Sequence, residues 1–322
     1  MQSSKTTSVP GLLRAGIFPK YTLVKGQPAQ IECVEIGGQT FSISRGPLTV
    51  VALEDEWFNE VTDPILVIEE LRHRTDFSPD LFTFCQRIPH IEPLYDFHRE
   101  WESIAALSVD TYDHWWAKQI ESATRNKIRK SQKAGIEVRE CQFDDEFVRG
   151  MTSIFNETPI RQGRPFWHYG KDFETVKRQF SRFLFRESLI GAYCKNEMVG
   201  FAMLGDSGTF ADLGQIISKL EHRDKAPTNA LVAKCVELCA TRGRRHLVYA
   251  YWLDGSLGDF KRQSGFEEVR LPRYYVPFTL TGKLALRNNL HHGLRQFLPK
   301  GLEDRLKLLR RSWLERRAQT KR

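Results

Sequence analysis

The chain has 322 residues, 41% of them hydrophobic and 27% charged, which is length enough for two domain-sized cores or one large one. No apolar run approaches the roughly 18–20 residues that span a bilayer, and MQSSKTTSVPGLLRAGIFPK lacks the basic and apolar segments of a secretory signal. The net charge of +8 is uneven: from Lys283 onward twelve Lys and Arg face three Asp and Glu, so the preceding part of the chain is close to neutral. Cys33, Cys85, Cys141, Cys194, Cys235 and Cys239 show no framework spacing, which points to reduced thiols and a cytoplasmic setting. Cys235 and Cys239 fall one helical turn apart with no further ligands in view, so they read as core residues, and no metal is expected.

Residues 20–54 alternate as strands (YTLV, AQIECVEI, TFSIS, GPLTVVALE), with Gly37-Gly38 as a hairpin turn. A helix is predicted over about 59–74, with Asp63-Pro64 near its start, and LFTFCQ reads as another strand. Asp110 offers an N-cap for one long helix, TYDHWWAKQIESATRNKIRKSQKAG, which Gly135 ends. Its last turns begin RNKIRK. Cations suit a helix C-terminus, but a run with no acid from 122 to 136 also suits a polyanion. IEVREC then alternates as a strand.

A helix over DDEFVRGMTSIFNET ends at Thr158-Pro159, and the loop PIRQGRPFWHYGKD leads to a second helix, FETVKRQFSRFLF. Strands SLIGAYC, MVGFAMLG and TFADLGQIIS follow. A helix covers about 227–242, begun by Pro227 and stopped by Gly243. HLVYAYW is a strand, SLGDFKRQSG a short helix, and FEEVRLPRYYVPF a closing strand. A β meander followed by alternating helices and strands is an α/β pattern.

Three stretches carry a resemblance. RNKIRKSQKAGIEVR is similar to the Arg-Asn, Ile-Arg-Lys, Lys-x-Gly signature at the junction of the two halves of FemAB-like proteins. The second is the hairpin, strand, helix, strand succession over 188–252. The third is Phe260-Lys261 followed by Gly265-Phe266, like the family's Phe-Lys pair. Over about 20–280 the chain therefore resembles the FemAB-like branch of the GNAT acyltransferases. The resemblance implies a mixed sheet flanked by helices in two GNAT-type halves. The first is a shortened half over 1–110 and the second an acyltransferase half over 111–282, followed by a basic amphipathic helical tail over 283–322. It implies acyl or aminoacyl transfer to an amine of a cell-envelope or polysaccharide precursor. Acyl-CoA or aminoacyl-tRNA would be the co-substrate, with no tightly bound cofactor. One feature departs: where many GNAT enzymes hold pyrophosphate on a glycine-rich helix start, this chain reads HRDKAPTNAL, leaving Arg223 and Lys225 as the donor-binding candidates.

The resemblance makes Lys261 a cation for the tetrahedral centre. Asp212, a carboxylate in the apolar strand TFADLGQIIS, is a candidate base if burial raises its pKa, though the alternation also permits a solvent-facing side chain. In RQGRPFWHYG, Arg161 and Arg164 offer anion contacts, Trp167 and Tyr169 stacking surfaces, and His168 a proton carrier. Arg125, Asn126, Arg129 and Lys130 are candidate contacts to a nucleotide-linked acceptor or to donor phosphates. The Leu- and Arg-rich tail suits an anionic membrane face, a tRNA backbone, or docking on its own domain. The rival function is a non-catalytic GNAT-like protein that binds RNA or a membrane surface.

Overall fold

The computed structural model describes residues 16–24, 27–182 and 184–292. In chain order the strands are β1 (Phe18–Val24), β2 (Gln27–Ile36), β3 (Gln39–Ser44), β4 (Val50–Leu53), β5 (Leu81–Cys85), β6 (His98–Ser108), β7 (Ile136–Cys141), β8 (Ile160–Arg161), β9 (Arg164–Pro165), β10 (Glu187–Cys194), β11 (Glu197–Asp206), β12 (Ala211–Ser218), β13 (His246–Tyr251) and β14 (Glu267–Pro277). The helices are α1 (Pro64–Arg72), α2 (Tyr112–His114), α3 (Ser122–Lys133), α4 (Asp145–Phe155), α5 (Phe173–Phe180), α6 (Pro227–Thr241), α7 (Ser256–Gln263) and α8 (Leu280–Arg287).

One mixed sheet runs through the molecule in the order β1-β2-β3-β4-β5-β14-β6-β13-β12-β11-β10-β7. Two centres of packing sit on it. Around α1, Val67, Ile68 and Leu71 pack with Phe41, Phe82, Phe84 and Tyr274. Around α6, Leu231, Cys235 and Val236 pack with Trp115, Ile128, Ile190, Leu204 and Leu213. The α6 sequence is apolar nearly all round because the helix is buried nearly all round. On the opposite face of the sheet, Phe147, Met151 and Phe155 of α4 cover Leu189, Phe201 and Met203.

Local chemistry explains the boundaries. Gly37 and Gly38 turn the β2–β3 hairpin at positive φ, and the Asp63 carboxylate accepts from Leu66 N–H at 2.9 Å to cap α1. The single helix expected from Asp110 is instead broken. Thr111, not Asp110, caps α2, and the chain passes through a π-turn at Trp115–Gln119. It is extended at Ile120 and Glu121 and restarts as α3. Trp115 and Ile120 are both buried, yet on an α-helix they would point about 140° apart. The wider turn, closed by Ile120 N–H on the Trp115 carbonyl at 3.3 Å, brings both into one core.

β6 is a central strand that hydrophobic patterning did not reveal, because its first half, HREWES, is polar. It pairs with β14 and β13, so residues from the N-terminal third lie in the middle of the later sheet. α8 spans 282/283, where the tail was expected to begin, and Ala285 and Leu286 are buried. The tail from 293 on lies outside the described residues. Among the described residues no helix is long and apolar enough to cross a membrane.

Candidate active site

β12 and β13 run parallel but pair only through Ala211–Leu247 and Asp212–Val248. Beyond Val248, β13 has lost its neighbour on that side. Ala250 takes a positive φ, and the register to β6 shifts between Val248 and Tyr251. Where the two strands part, a cavity of about 160 Å³ opens on the face away from α6. Its polar lining is Glu56, Arg87, Glu102, Asp212, Tyr251 and Arg273, with Ile104, Phe210, Val248 and Leu271 as apolar wall and Trp57 at the side.

Strand alternation puts Asp212 here. Ala211 and Leu213 belong to the α6 core, so the residue between them points the other way, into the cavity and not into solvent; it is 5% exposed. Burial pushes its carboxyl up to about 7, against the pull of Arg87. No hydrogen bond to that carboxylate occurs among the described residues. Its cross-strand partner on β11 is Gly205, whose own partner on β10 is Glu187. A side chain at Gly205 would overlap the Phe58 ring, so glycine there makes room for the loop reaching in after β4. Burial, with the Asp212 charge, pushes Glu187 up to about 7 as well.

The two arginines differ. Arg273 is fully engaged: its guanidinium bonds Glu56 at 2.8 and 3.0 Å, reaches Thr83 at 3.3 Å, and its Nε pairs with Glu102. It holds β14, β6 and the post-β4 loop together. Arg87 gives one Nη to the Glu56 carbonyl, while its buried Nε has no partner among the described residues. The cavity therefore presents an unpaired carboxylate, costly to bury without a ligand, with Arg87 in its wall.

Several expected site residues lie elsewhere. Lys261, 1% exposed, gives its ammonium to the carbonyls of Tyr249 at 2.6 Å and Tyr251 at 2.7 Å, and lies over the Tyr249 ring. It does not line the cavity, and its ammonium is committed to strand carbonyls. β13 carbonyls beyond the last β12 pair need donors, and Lys261 supplies them; burial lowers it to about 8. His168 also lies away from the cavity. It is 1% exposed and stacked on Phe155 at 4.2 Å, and burial, with Lys171 adjacent, pushes it down to about 3. Such an imidazole is a neutral core ring.

Arg161 gives its two terminal nitrogens to the Ser218 and Ile154 carbonyls and to Glu157, so it ties the loop to β12 and stands away from the cavity. Arg125 likewise braces the helix break through the Trp116 and Ile120 carbonyls. Arg164 and Trp167 are exposed and Tyr169 half-buried, on the α4 side of the sheet. Asn126, Arg129 and Lys130 are exposed on α3, which packs beside α6 on the opposite side. Arg223 is exposed, while Lys225 is held by His222 at 3.0 Å and Cys194 at 3.5 Å. At the start of α6, Pro227 has no N–H, and the N–H groups of Asn229 and Ala230 both return to the Ala226 carbonyl.

Arg87, Glu56, Glu102, Tyr251 and Arg273 escaped the sequence reading. Glu56, Glu102 and Arg273 left one trace, charge inside or beside strand segments (EDEW after β4, HREWE in β6, LPRYY in β14), whereas Arg87 and Tyr251 left none.

No family model matches the sequence, and no curated protein is detectably similar to it. Solved structures are. FemX superposes with a TM-score of 0.50 at 12% identity, covering 84% of this chain and 90% of its own. L-PGS from Bacillus licheniformis gives 0.51 at 15%, covering 81% and 88%. The C-terminal domain of an Agrobacterium fabrum protein assigned as a lysylphosphatidylglycerol synthetase gives 0.52 at 10%, also covering 81% and 88%. The chain thus has the mixed α/β fold of these proteins.

Proposed function

We propose that the protein is an acyltransferase of the FemAB-like GNAT type, moving an acyl or aminoacyl group onto an amine of a cell-envelope component, with Asp212 as the base. The observation that carries this reading is the unpaired carboxylate of Asp212 in a cavity where β12 and β13 part. In the reaction the acceptor ammonium first gives one proton to solvent, and the neutral amine attacks the donor carbonyl while Asp212 takes the second proton from the nitrogen. A C–N bond forms, the C–O or C–S bond to the donor breaks, and the departing oxygen or sulfur takes that proton from Asp212. Arg87, on the cavity wall and felt by Asp212, brings the positive charge that suits the oxyanion developing between those steps. Lys261 and Arg273 hold the strands that carry these groups.

The fold shared with FemX and L-PGS supports transfer to a cell-envelope acceptor. The start of α6 supports aminoacyl-tRNA over acyl-CoA as donor. In its first turn one N–H is missing at Pro227 and those of Asn229 and Ala230 are spent on Ala226, where pyrophosphate would sit, while exposed cations on α3 alongside suit an RNA backbone. A binding role without catalysis leaves the cavity unexplained, since an unpaired buried carboxylate costs stability.

The test is transfer of radiolabel from charged tRNA or from acyl-CoA to amine-bearing lipid and peptidoglycan precursors, by wild type and Asp212→Asn. Labelled product from charged tRNA that the variant fails to form supports the reading in full. Product from acyl-CoA alone corrects the donor. Equal product from both proteins overturns the role of Asp212.

A further inference from the structure

Consecutive residues on a turn normally aim their side chains apart; His291 and His292 do not. α8 is seated by the Thr279 cap on Gly282 N–H, by Gly282 lying against the Asp80 carbonyl, and by buried Ala285 and Leu286. Asn289, at positive φ, then reverses the chain into the short turn Leu290–His292. Both imidazoles end on one carboxylate of β6. His291 Nε2 lies 2.8 Å from Glu100 Oε1; His292 Nε2 lies 3.0 Å from Oε1 and 2.8 Å from Oε2. The two rings stand 4.0 Å apart.

We propose that Glu100, His291 and His292 form a binding site for a divalent transition metal, zinc by ligand type. Two imidazole nitrogens and a carboxylate are a zinc donor set, and the three ligand atoms lie within 4.8 Å of one another. Zinc with ligands at about 2.0–2.1 Å in a tetrahedron needs them roughly 3.3 Å apart. A few tenths of an ångström of opening turns the hydrogen-bonded cluster into a coordination shell.

Three further observations favour a cation. The Glu100 carboxylate has no lysine or arginine ion pair among the described residues; its charge meets only the two imidazoles. The His291 side chain is 2% exposed, and its Nδ1 is buried without a partner among the described residues, so Nε2 is the ring atom left to bind anything. His98, two residues before Glu100 on β6 and so on the same face, has its ring 6.3 Å from that of His291 and is exposed. It is placed to supply a fourth ligand, or water fills that position. A second group, Glu197, Glu221 and His222, fails this comparison, because the Lys219 ammonium already sits between its carboxylates. No sequence motif announces the Glu100 site, since its ligands stand 191 residues apart.

Metal bound here cross-links the end of α8 to β6, two residues from the Glu102 that lines the cavity. The test uses the full chain without a purification tag, stripped with chelator and titrated with zinc against a chromogenic chelator, then with cobalt. The expected result is one zinc per chain, a raised melting temperature, and cobalt absorption of four-coordinate intensity. Glu100→Gln and the double variant His291→Ala/His292→Ala should each weaken zinc at least tenfold, with melting in chelator close to wild type. Glu197→Gln should bind as wild type does. Absence of stoichiometric zinc, or zinc binding unchanged in both variants, overturns the site. If the double variant fails to fold, Glu100→Gln decides alone, because it keeps the side chain's size and one oxygen acceptor.

Discussion

Two polar regions of this chain attract attention in the sequence, and the structure treats them oppositely. The segment from Ile160 to Lys171 gathers arginines, aromatics and a histidine, yet it packs on itself and leaves no charged group open to a cavity. The two terminal nitrogens of Arg161 have carbonyl and carboxylate acceptors, only its buried Nε lacking one among the described residues, and His168 lies on Phe155. The cavity at Asp212 draws its polar lining from six separate places and leaves a buried carboxylate unmatched. A dense cluster of chemistry-bearing residues along the chain signals a strap. Sparse residues that converge without mutual satisfaction signal a site, since burial without a partner is tolerated where a ligand supplies it.

The largest effect that would break this contrast is on transfer. Asp212→Asn should cut the single-turnover rate on the order of 10²–10⁴-fold. In wild type the rate should rise with pH through about 7, where Asp212 loses its proton. A variant that keeps the wild-type rate and pH limb would remove the cavity's claim.

Next in size is stability against pH. The folded carboxyl holds its proton up to about 7, whereas an unfolded one releases it near 3.8. The folded state therefore binds more protons in that window, and wild-type stability falls as pH rises from about 4 to 7, then levels. Asp212→Asn should lack the part of this loss that Asp212 contributes, the buried Glu187 keeping a smaller one, and at pH 8 be more stable than wild type by on the order of 2–4 kcal/mol in urea unfolding.

Arg161→Ala should sharpen the contrast from the other side. It strands buried acceptors and should cost about 2–3 kcal/mol of stability, while transfer per folded molecule stays within about threefold of wild type because no reacting group is touched. Smallest of all is His168→Phe: one flat ring replaces another on Phe155, so stability should move by less than about 1.5 kcal/mol and the rate not at all. Loss of transfer in either variant would return the loop to the active site.

Much of the fold was legible because its signals are local. Gly37-Gly38, Pro227 and Gly243 mark turns and helix ends by backbone chemistry alone, and the apolar periods of β10–β13 and α6 follow directly from burial. What escaped did so for physical reasons. β6 carries HREWES because Glu102 faces Arg273 and the cavity, Glu100 meets His291 and His292, and His98, Arg99 and Trp101 are exposed, so the apolar pattern is missing there. The break at Ile120 depends on two side chains sharing one core, which no local propensity records. Lys261 was legible as important and illegible in role. Only the parting of β12 and β13 explains why a lysine must donate to strand carbonyls there. Asp212 stood out as a charge in an apolar strand, but whether it faced solvent or a cavity depended on loops from elsewhere in the chain.

The position of β6 also orders events during synthesis. Its neighbours in the finished sheet, β13 and β14, leave the ribosome more than a hundred residues later, and the bond from Arg273 to Glu102 spans 171 residues. Until then both edges of β6 lack their strands, the arrangement that invites mispairing in a nascent chain. The polar first half of the strand, with Arg99, Glu100 and Glu102, makes the waiting edge a poor template for aggregation. The residues that hid this strand from hydrophobic patterning are the same ones that keep it soluble until its partners arrive.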